Sequence, residues 1–378
     1  MPVLAQDLPS GKILDRVVCR DNDQQSYALY VPSSYTPGRA WPIVYCLDPG
    51  ARGRVPVERF AAAAEKYGYL VAGSNNSRNG PYTVIVDAIQ AMVKDTHMRL
   101  SIDDNRIYAA GHSGGANASL RWALNGSLAG VVASAATEKP GNLPVKGFRL
   151  FASTGIDDFA YYNVHALSQE LARRGIENRY REFDGGHEWL PASSADEALQ
   201  FFDGRLPAEP AVASKEVKSL SARFEQMSMQ LFQAGEAERT ALVHAYARDA
   251  AKSSNAADRR LARQILNSAY IAFAENARQM MAKHDYTAAA KAWEVDVVVR
   301  PENGQTWYSL AVAQAGAGNK RRALEALEKA AANGFRDAAR IEHEPLLAPV
   351  RGDRRYQAIL ESINQSGNQS RNPAGGSH

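Results

Sequence analysis

The chain has 378 residues, of which 45% are hydrophobic and 22% are charged, and its formal net charge is +3. Such a composition is typical of soluble globular proteins, and the length predicts two domains, each able to bury a core. No apolar stretch of about twenty residues is present, which argues against a membrane-spanning helix. The small net charge forms no basic stripe, so nothing indicates a nucleic-acid partner.

The first residues, 1–11, are predicted to be a flexible segment. Within them, "VLAQD" resembles the remnant around a signal-peptide cleavage site, which favours a periplasmic or secreted protein over a cytoplasmic one. Cys19 and Cys46 lie in two predicted strands, "RVVCR" and "PIVYCLD", which are not neighbours in the sheet order expected below. Two buried thiols are therefore favoured over a disulfide.

Residues 12–204 alternate short apolar strands with helical segments. The further predicted strands are "SYALYVP", "YLVAGSN", "RIYAAG", "GVVASAA", "FRLFASTG" and "NRYREFD". This alternation predicts an α/β domain with a mostly parallel sheet and helices on both faces. The segment 205–215, "RLPAEPAVASK", contains two prolines and several small residues and is predicted to be a linker.

Residues 216–363 are predicted to form an all-α domain that contains a repeat. An offset of about 34 residues, the period of the tetratricopeptide repeat, aligns large residues with large ones and alanines with alanines: Phe273 with Trp307, Ala277 with Ala311, Ala289 with Ala323, and Trp293 with Leu327. This pattern resembles the tetratricopeptide repeat, a helical hairpin. Its helices would either shield the first domain or another copy, or form a groove for a peptide or protein partner. Residues 364–378 are polar and predicted to be disordered.

The stretch "AAGHSGGA" at residues 109–116 contains a candidate nucleophile, Ser113. It fits the pattern G-x-S-x-G, in which a sharp strand-to-helix turn exposes the serine hydroxyl. An apolar strand precedes the pattern and an Ala- and Leu-rich helix follows it, which is the context that such a turn requires. The alternative is a polar residue in a glycine-rich turn.

A serine hydroxyl needs a base to remove its proton. Between Ser113 and the linker the only histidines are His165 and His187. His165 lies in an amphipathic helix, whereas His187 lies in the glycine-rich loop "FDGGHEW" after the last predicted strand. His187 is therefore the predicted base.

The base needs an acid that orients it. Asp157 and Asp158 follow a predicted strand in "FASTGIDDFAYY", at the edge of the sheet where catalytic loops gather. Asp184 is only three residues from His187, which makes a good hydrogen bond to that ring awkward. Asp158 is predicted to be the acid, with Asp157 as the alternative.

An acyl-transfer site also needs donors for the oxyanion. The N–H of Gly114, directly after the nucleophile, is the first predicted donor. The second is expected from the loop after "PIVYCL", where Pro49 has no N–H; Gly50 is the first choice and Ala51 the second.

Four residues are predicted to contact the substrate. Three are aromatic, Tyr161, Tyr162 and Trp189, and form either a platform for a sugar or phenolic ring or part of the core. The fourth, His112, directly precedes the nucleophile.

The motifs "YALYVPSSY", "DDNRIYAAGHSGGA", "GIDDFAYY" and "GGHEW" resemble those of an esterase branch that includes feruloyl and acetylxylan esterases and polyhydroxybutyrate depolymerases. The resemblance covers roughly residues 12–205. It implies an α/β-hydrolase fold with strand order 1-2-4-3-5-6 onward, and hydrolysis of a carboxylic ester without cofactor or metal. The family has His-Gly where this chain has Asp48-Pro49, so the resemblance is weakest in the oxyanion loop.

Two other functions are compatible with these residues. The same nucleophile would serve a peptidase or an acyltransferase. Alternatively, the helical repeats bind a partner and the hydrolase-like half is a degenerate scaffold.

Overall fold

The structure, a computed structural model, describes residues 8–123, 128–138, 147–212 and 214–371. The chain divides into two compact units, Met1–Ser221 and Ala222–His378. Of the two predicted flexible ends, residues 1–7 and 372–378 lie outside the described residues.

Strands and helices alternate through the first unit, as the sequence predicts. In chain order they are β1 (Ile13–Cys19), β2 (Asn22–Tyr30), β3 (Trp41–Leu47), α1 (Arg54–Tyr67), β4 (Leu70–Ser74), α2 (Tyr82–Arg99), β5 (Ile102–His112), α3 (Gly114–Ala123), β6 (Gly130–Ser134), β7 (Arg149–Gly155), α4 (Tyr161–Arg173), β8 (Asn178–Phe183) and α5 (Ala192–Phe202).

The eight strands form one sheet in the order β1-β2-β4-β3-β5-β6-β7-β8. The pairs β1–β2 and β2–β4 are antiparallel, and every later pair is parallel. This is the predicted α/β-hydrolase order. Cys19 on β1 and Cys46 on β3 are buried free thiols on strands that are not neighbours, which confirms the expectation of no disulfide.

Helices cover both faces of the sheet, because alternate strand residues point to opposite sides. On β3, Val44 packs in the same apolar cluster as Phe60 of α1 and Leu199 of α5. The adjacent Tyr45 packs with Met92 of α2 on the other face. On that second side of the sheet α3 and α4 share a further apolar cluster with strand residues.

The predicted linker, 205–215, has no regular structure up to residue 212, but it is anchored to the sheet. Glu209 forms a parallel bridge with Arg179 of β8, and its carboxylate accepts a hydrogen bond of 2.6 Å from Arg181. Ala211 is buried, and its N–H donates to Ser168 Oγ at 2.9 Å. The segment is therefore held along β8 before the next helix begins.

The second unit is helical throughout its described residues. Its helices, the first of which begins in the first unit, are α6 (Lys215–Gln233), α7 (Glu236–Lys252), α8 (Ala256–Ala282), α9 (Tyr286–Val299), α10 (Gly304–Gly316), α11 (Lys320–Ala332), α12 (Ala338–His343) and α13 (Arg354–Arg371), with a 3-10 helix at Pro345–Val350. Across the described chain no helix has both the length and the apolar surface to cross a membrane.

The last helix is longer than the sequence predicts. Disorder is expected from residue 364, yet α13 continues to Arg371. Extending an existing helix costs far less than starting one, so a polar tail can follow the apolar turns that hold α13 in place. Ile359 and Ile363 provide that apolar anchor, since both are buried.

Candidate active site

The predicted nucleophile lies at a sharp turn between β5 and α3. Ser113 follows His112, the last residue of the strand, and has a φ of 53°, in the left-handed region that non-glycine residues seldom adopt. Its N–H donates to the carbonyl of Ser134 on the adjacent β6 at 2.9 Å. A serine held in this conformation between a strand and a helix matches the geometry of a nucleophile elbow.

Two glycines make this turn possible. A Cβ on Gly111 would lie 2.2 Å from the backbone of Gly115, and a Cβ on Gly115 would lie 1.9 Å from the carbonyl oxygen of Leu47. Neither distance is compatible with a side chain. The G-x-S-x-G pattern therefore reflects close packing of α3 against β5 and the end of β3.

The predicted acid and base are hydrogen-bonded to each other. His187 Nδ1 lies 2.9 Å from Asp158 Oδ1 and 3.1 Å from Oδ2. Asp158 is fully buried, and its Oδ1 also accepts the N–H of Ala160 at 2.7 Å. Because an ionised carboxylate only accepts hydrogen bonds, Nδ1 is the donor, which leaves Nε2 of His187 as the acceptor of a proton.

The imidazole of His187 is packed between two other rings. Its centroid lies 4.3 Å from that of Phe159 and 4.6 Å from that of His112, the neighbour of Ser113 in the chain. The structure therefore brings the predicted base close to the predicted nucleophile. Burial, and then the proximity of His187, lower the pKa of His112 to about 3, so His112 is neutral at ordinary pH.

The predicted oxyanion donors differ in their availability. Gly114 is the first residue of α3, so its N–H has no acceptor within the helix. In contrast, the N–H of Gly50 donates to Asp48 Oδ1 at 2.8 Å, and the N–H of Ala51 donates to the Asp48 carbonyl at 3.2 Å. In this loop conformation, both candidates for the second donor are hydrogen-bonded to Asp48.

Asp48, the first residue after β3, organises the loop that follows this strand. It is fully buried, and it accepts hydrogen bonds from Arg52 Nε and Nη2, both at 2.9 Å, and from Trp189 Nε1 at 2.8 Å. Burial opposes ionisation of Asp48, but the hydrogen bonds from Arg52, Trp189 and Gly50 outweigh burial and keep its pKa below the usual value. Asp48 is therefore an anion that ties this loop to the loop of His187.

The sequence leaves two alternatives for the three aromatic residues, an exposed platform or a place in the core. Tyr161, Tyr162 and Trp189 are only 4%, 7% and 4% exposed, so they belong to the core. Tyr161 and Trp189 can be buried because their polar atoms have partners: the Tyr161 hydroxyl donates to Glu182 at 2.7 Å, and Trp189 donates to Asp48. His112, at 4% exposed, likewise has little surface for a substrate.

His165 and Asp157, the other candidates considered from the sequence, make different contacts. His165 is buried on α4, and its Nδ1 lies 3.0 Å from Gln169 Nε2. The N–H of Asp157 donates to the carbonyl of Gly185, which joins the acid loop to the loop of the base.

Residues of the loop after β4 line the other side of the site, in an orientation that the sequence alone does not fix. Gly50 forms an antiparallel bridge with Arg78, and the N–H of Asn79 donates to the carbonyl of Pro49 at 2.9 Å. The Asn79 side chain lies against Gly114, since a Cβ there would be 2.0 Å from Asn79 Oδ1. For the ion pair of Asp48 and Arg52, the sequence carries a signal: an aspartate directly after a strand, four residues before an arginine.

Comparison with known proteins finds structural neighbours for about half of the chain. No protein-family model matches the chain. No curated protein matches it either. Among solved structures, a ferulic acid esterase aligns with a TM-score of 0.43 and 16% identity over 52% of this chain and 99% of the other. An S-formylglutathione hydrolase from Staphylococcus aureus aligns with a TM-score of 0.37 and 15% identity over 47% of this chain and 88% of the other. A thermostable esterase aligns with a TM-score of 0.41 and 19% identity over 50% of this chain and 61% of the other.

Proposed function

We propose that the chain is a serine hydrolase that cleaves carboxylic esters, with Ser113, His187 and Asp158 as its catalytic triad. The observation that carries the proposal is the 2.9 Å hydrogen bond between Asp158 and His187. The imidazole of His187 packs against that of His112, the residue that precedes Ser113. The left-handed φ of Ser113 supports the role of nucleophile.

The chemistry follows from this arrangement. His187 Nε2 takes the hydroxyl proton as Ser113 Oγ attacks the ester carbonyl carbon, and Asp158 stabilises the imidazolium that forms. The tetrahedral intermediate collapses, the C–O bond of the alcohol breaks, and His187 returns the proton to the leaving alkoxide. Water then repeats the attack on the acyl-serine, which releases a carboxylic acid and restores the serine.

The oxyanion of each intermediate needs two donors. Gly114 N–H is the first donor in this proposal. Gly50 or Ala51 supplies the second when its hydrogen bond to Asp48 is exchanged for one to the oxyanion. The second half of the hole is thus completed only when the substrate is bound.

The family resemblance supports three substrate classes: feruloyl esters, acetylated sugars and polyesters. We propose these as the first substrates to screen. A peptidase or acyltransferase reaction would use the same triad, and peptide substrates or added alcohol acceptors distinguish it from ester hydrolysis.

The proposal is tested with a serine-directed fluorophosphonate. The parent protein is expected to gain one adduct, mapped to Ser113 by mass spectrometry, and to hydrolyse para-nitrophenyl acetate. Ser113→Ala is expected to lose both properties, with an unchanged circular dichroism spectrum as the control for folding. A folded parent that gains no adduct would contradict the proposal and favour a binding protein on a hydrolase scaffold.

We also propose that α8–α9 and α10–α11 are two tetratricopeptide-like hairpins that bind a peptide or protein partner. Each pair of helices packs together, and the four alanines matched by the offset are fully buried: Ala277, Ala289, Ala311 and Ala323. Alanine lets two helices approach closely, as this repeat requires.

A cavity of about 390 Å³ lined by α7, α8 and α9, with Phe273 and Lys291 in its wall, is the proposed partner site. An experimental structure in which the two hairpins superpose with an offset of 34 tests the repeat.

A further inference from the structure

We infer that Arg52 and Arg78 form a subsite that selects esters carrying a carboxylate near the scissile bond. The inference rests on the proposed ester hydrolysis at Ser113 and names its substrate class. Both arginines lie near the loop after β3, in which this chain has Asp48 where the resembled family has histidine.

Arg52 is held in place by a buried partner but remains largely accessible. Its side chain is 59% exposed, whereas that of Asp48 is 0% exposed. Two hydrogen bonds of 2.9 Å, from Nε and Nη2, fix the guanidinium against the carboxylate. The head group of Arg52 is therefore ordered before any ligand binds, which lowers the entropic cost of binding one.

The guanidinium has donors left for a second carboxylate. Arginine presents five N–H donors in a planar fork. Asp48 takes one from Nε and one from Nη2, and within the described residues Nη1 of Arg52 has no hydrogen-bond partner. The edge formed by Nη1 and Nη2 matches the two oxygens of a carboxylate, the geometry in which arginine binds anions most strongly.

Arg52 lies beside the nucleophile turn. Strand β3, which leads into its loop, pairs with β5, and Leu47 lies opposite Gly111. Gly115 packs against the Leu47 carbonyl, so the start of the loop touches the elbow. Trp189, two residues after His187, donates to the same Asp48 that holds Arg52. A substrate seated at Ser113 therefore has Arg52 on the β3 side.

Arg78 adds a second cation to the same side. Its backbone pairs with Gly50 in an antiparallel bridge, which brings the loops after β3 and β4 together. The Arg78 side chain is exposed and forms no ion pair within the described part of the chain. Its neighbour Asn79 lies against Gly114, next to the nucleophile. Asp48 offsets only one of the two arginine charges, so this side of the site has an excess positive charge.

A purely structural role for Arg52 gives a different expectation. If Arg52 only compensates the buried charge of Asp48, its loss weakens the hydrolysis of charged and neutral esters to the same degree. If Arg52 binds a substrate carboxylate, its loss lowers kcat/KM for the charged ester more than for the neutral one. The ratio of the two kcat/KM values therefore separates the two roles.

The test uses two matched pairs of esters, because the carboxylate can lie in either half of the substrate. The first pair carries it in the acyl chain: the para-nitrophenyl monoester of adipic acid and the corresponding monoamide. The second pair carries it in the leaving group: para-acetoxybenzoate and para-acetoxybenzamide. For the full-length parent, at least one charged ester is expected to exceed its neutral partner about tenfold or more in kcat/KM.

The variants assign that preference to the two arginines. Arg52→Gln is expected to lower the charged-to-neutral ratio about tenfold, and Arg52→Lys to retain part of it. Arg78→Gln, which leaves the Asp48 contacts intact, is expected to lower the ratio a few-fold. Arg173→Gln, an exposed arginine in the last turn of α4, is the matched control and is expected to leave the ratio unchanged. Added salt is expected to reduce the parent's preference, since screening weakens exposed charge pairs.

Two results would overturn the inference: neutral esters that are hydrolysed as well as their charged partners, or a preference that survives both Arg52→Gln and Arg78→Gln. Both leave the proposed function intact, because the neutral esters are still cleaved. Failure of the proposed function looks different, since neither ester of a pair is then hydrolysed and Ser113 gains no fluorophosphonate adduct. If Arg52→Gln does not fold, Arg78→Gln and the salt dependence decide the outcome.

Discussion

Asp158 holds His187 in one tautomer. Both carboxylate oxygens lie within 3.1 Å of Nδ1 of the imidazole, and the side chain has no contact with solvent. A buried carboxylate next to Nδ1 keeps the proton on that nitrogen and leaves Nε2 free to act as a base.

Asp158→Asn is expected to lower kcat for para-nitrophenyl acetate about a thousandfold or more. The amide of asparagine can donate to Nδ1, which favours the tautomer with the proton on Nε2, where it cannot accept from Ser113. Asp157→Asn is the matched control, because it removes a carboxylate one residue away along the chain and leaves the 2.9 Å contact between Asp158 and His187 in place. Steady-state kinetics of the two variants check the assignment, and equal losses would contradict it.

The sequence predicts these residues because their roles depend on spacing along the chain. Ser113 follows from G-x-S-x-G, and Asp158 and His187 follow from their places after the last strands. The engagement of Gly50 by Asp48 could not be predicted, since it depends on a side chain that folds back onto its own loop. The burial of Tyr161 was equally inaccessible, because its partner Glu182 comes from another element.

The loops after β7 and β8 position the acid and the base against each other. A Cβ on Gly155, the last residue of β7, would lie 2.4 Å from the carbonyl oxygens of Gly185 and Gly186. The loop that carries His187 therefore crosses directly over the end of β7. This close approach fixes the distance between His187 and Asp158.

Gly155→Ala is expected to displace the loop of His187 and reduce kcat by tenfold or more, because misplacing a catalytic group by about 1 Å can cost about a hundredfold. The free energy of unfolding is also expected to fall by about 1–3 kcal/mol through overpacking. Gly235→Ala is the control, since a Cβ there meets no atom within 4 Å. Kinetics and urea unfolding measure both effects, and an unimpaired Gly155→Ala enzyme would show that the contact does not position His187.

The order of the elements was predictable, whereas their ends and anchors were not. Apolar runs predicted the central strands β3, β4, β6 and β7, because parallel strands buried on both faces have few polar positions. The prolines of 205–215 predicted the loss of regular structure there. They gave no sign that Glu209 pairs with Arg181, because composition does not report which distant side chains meet. The continuation of α13 to Arg371 was also missed, since weak local propensity underestimates the extension of an existing helix.

Each of the two units buries a titratable group that affects its stability, and the two groups respond to pH in opposite directions. In the first unit, His112 has a folded-state pKa of about 3, below its ordinary value of 6.5. As the pH falls below 6.5, His112 binds a proton in the unfolded chain but not in the folded unit. Acid therefore destabilises the first unit. In the second unit, Asp296 has the reverse effect.

Asp296 lies on α9, is fully buried, and within the described residues neither of its carboxylate oxygens has a hydrogen-bond partner. Burial raises its pKa from 3.8 to about 8, and the charge of Arg278 opposes this rise only in part. The folded unit therefore keeps a proton that the unfolded chain loses as the pH rises above about 4. The stability contributed by the neutral carboxyl is complete below pH 3.8 and is lost between pH 3.8 and about 8.

Asp296→Asn is expected to remove this dependence, because asparagine has nearly the same shape and does not ionise. The free energy of unfolding of the variant relative to the parent should rise with pH, with a limiting slope of about 1.4 kcal/mol per pH unit, and level off above pH 8. Urea unfolding followed by circular dichroism at several pH values measures the difference, with Glu325→Gln on the exposed side of α11 as the control. A difference that does not change with pH would mean that Asp296 is ionised in the folded unit. The contribution of His112 to the pH dependence should be the same in parent and variant, because His112 belongs to the first unit and Asp296 to the second.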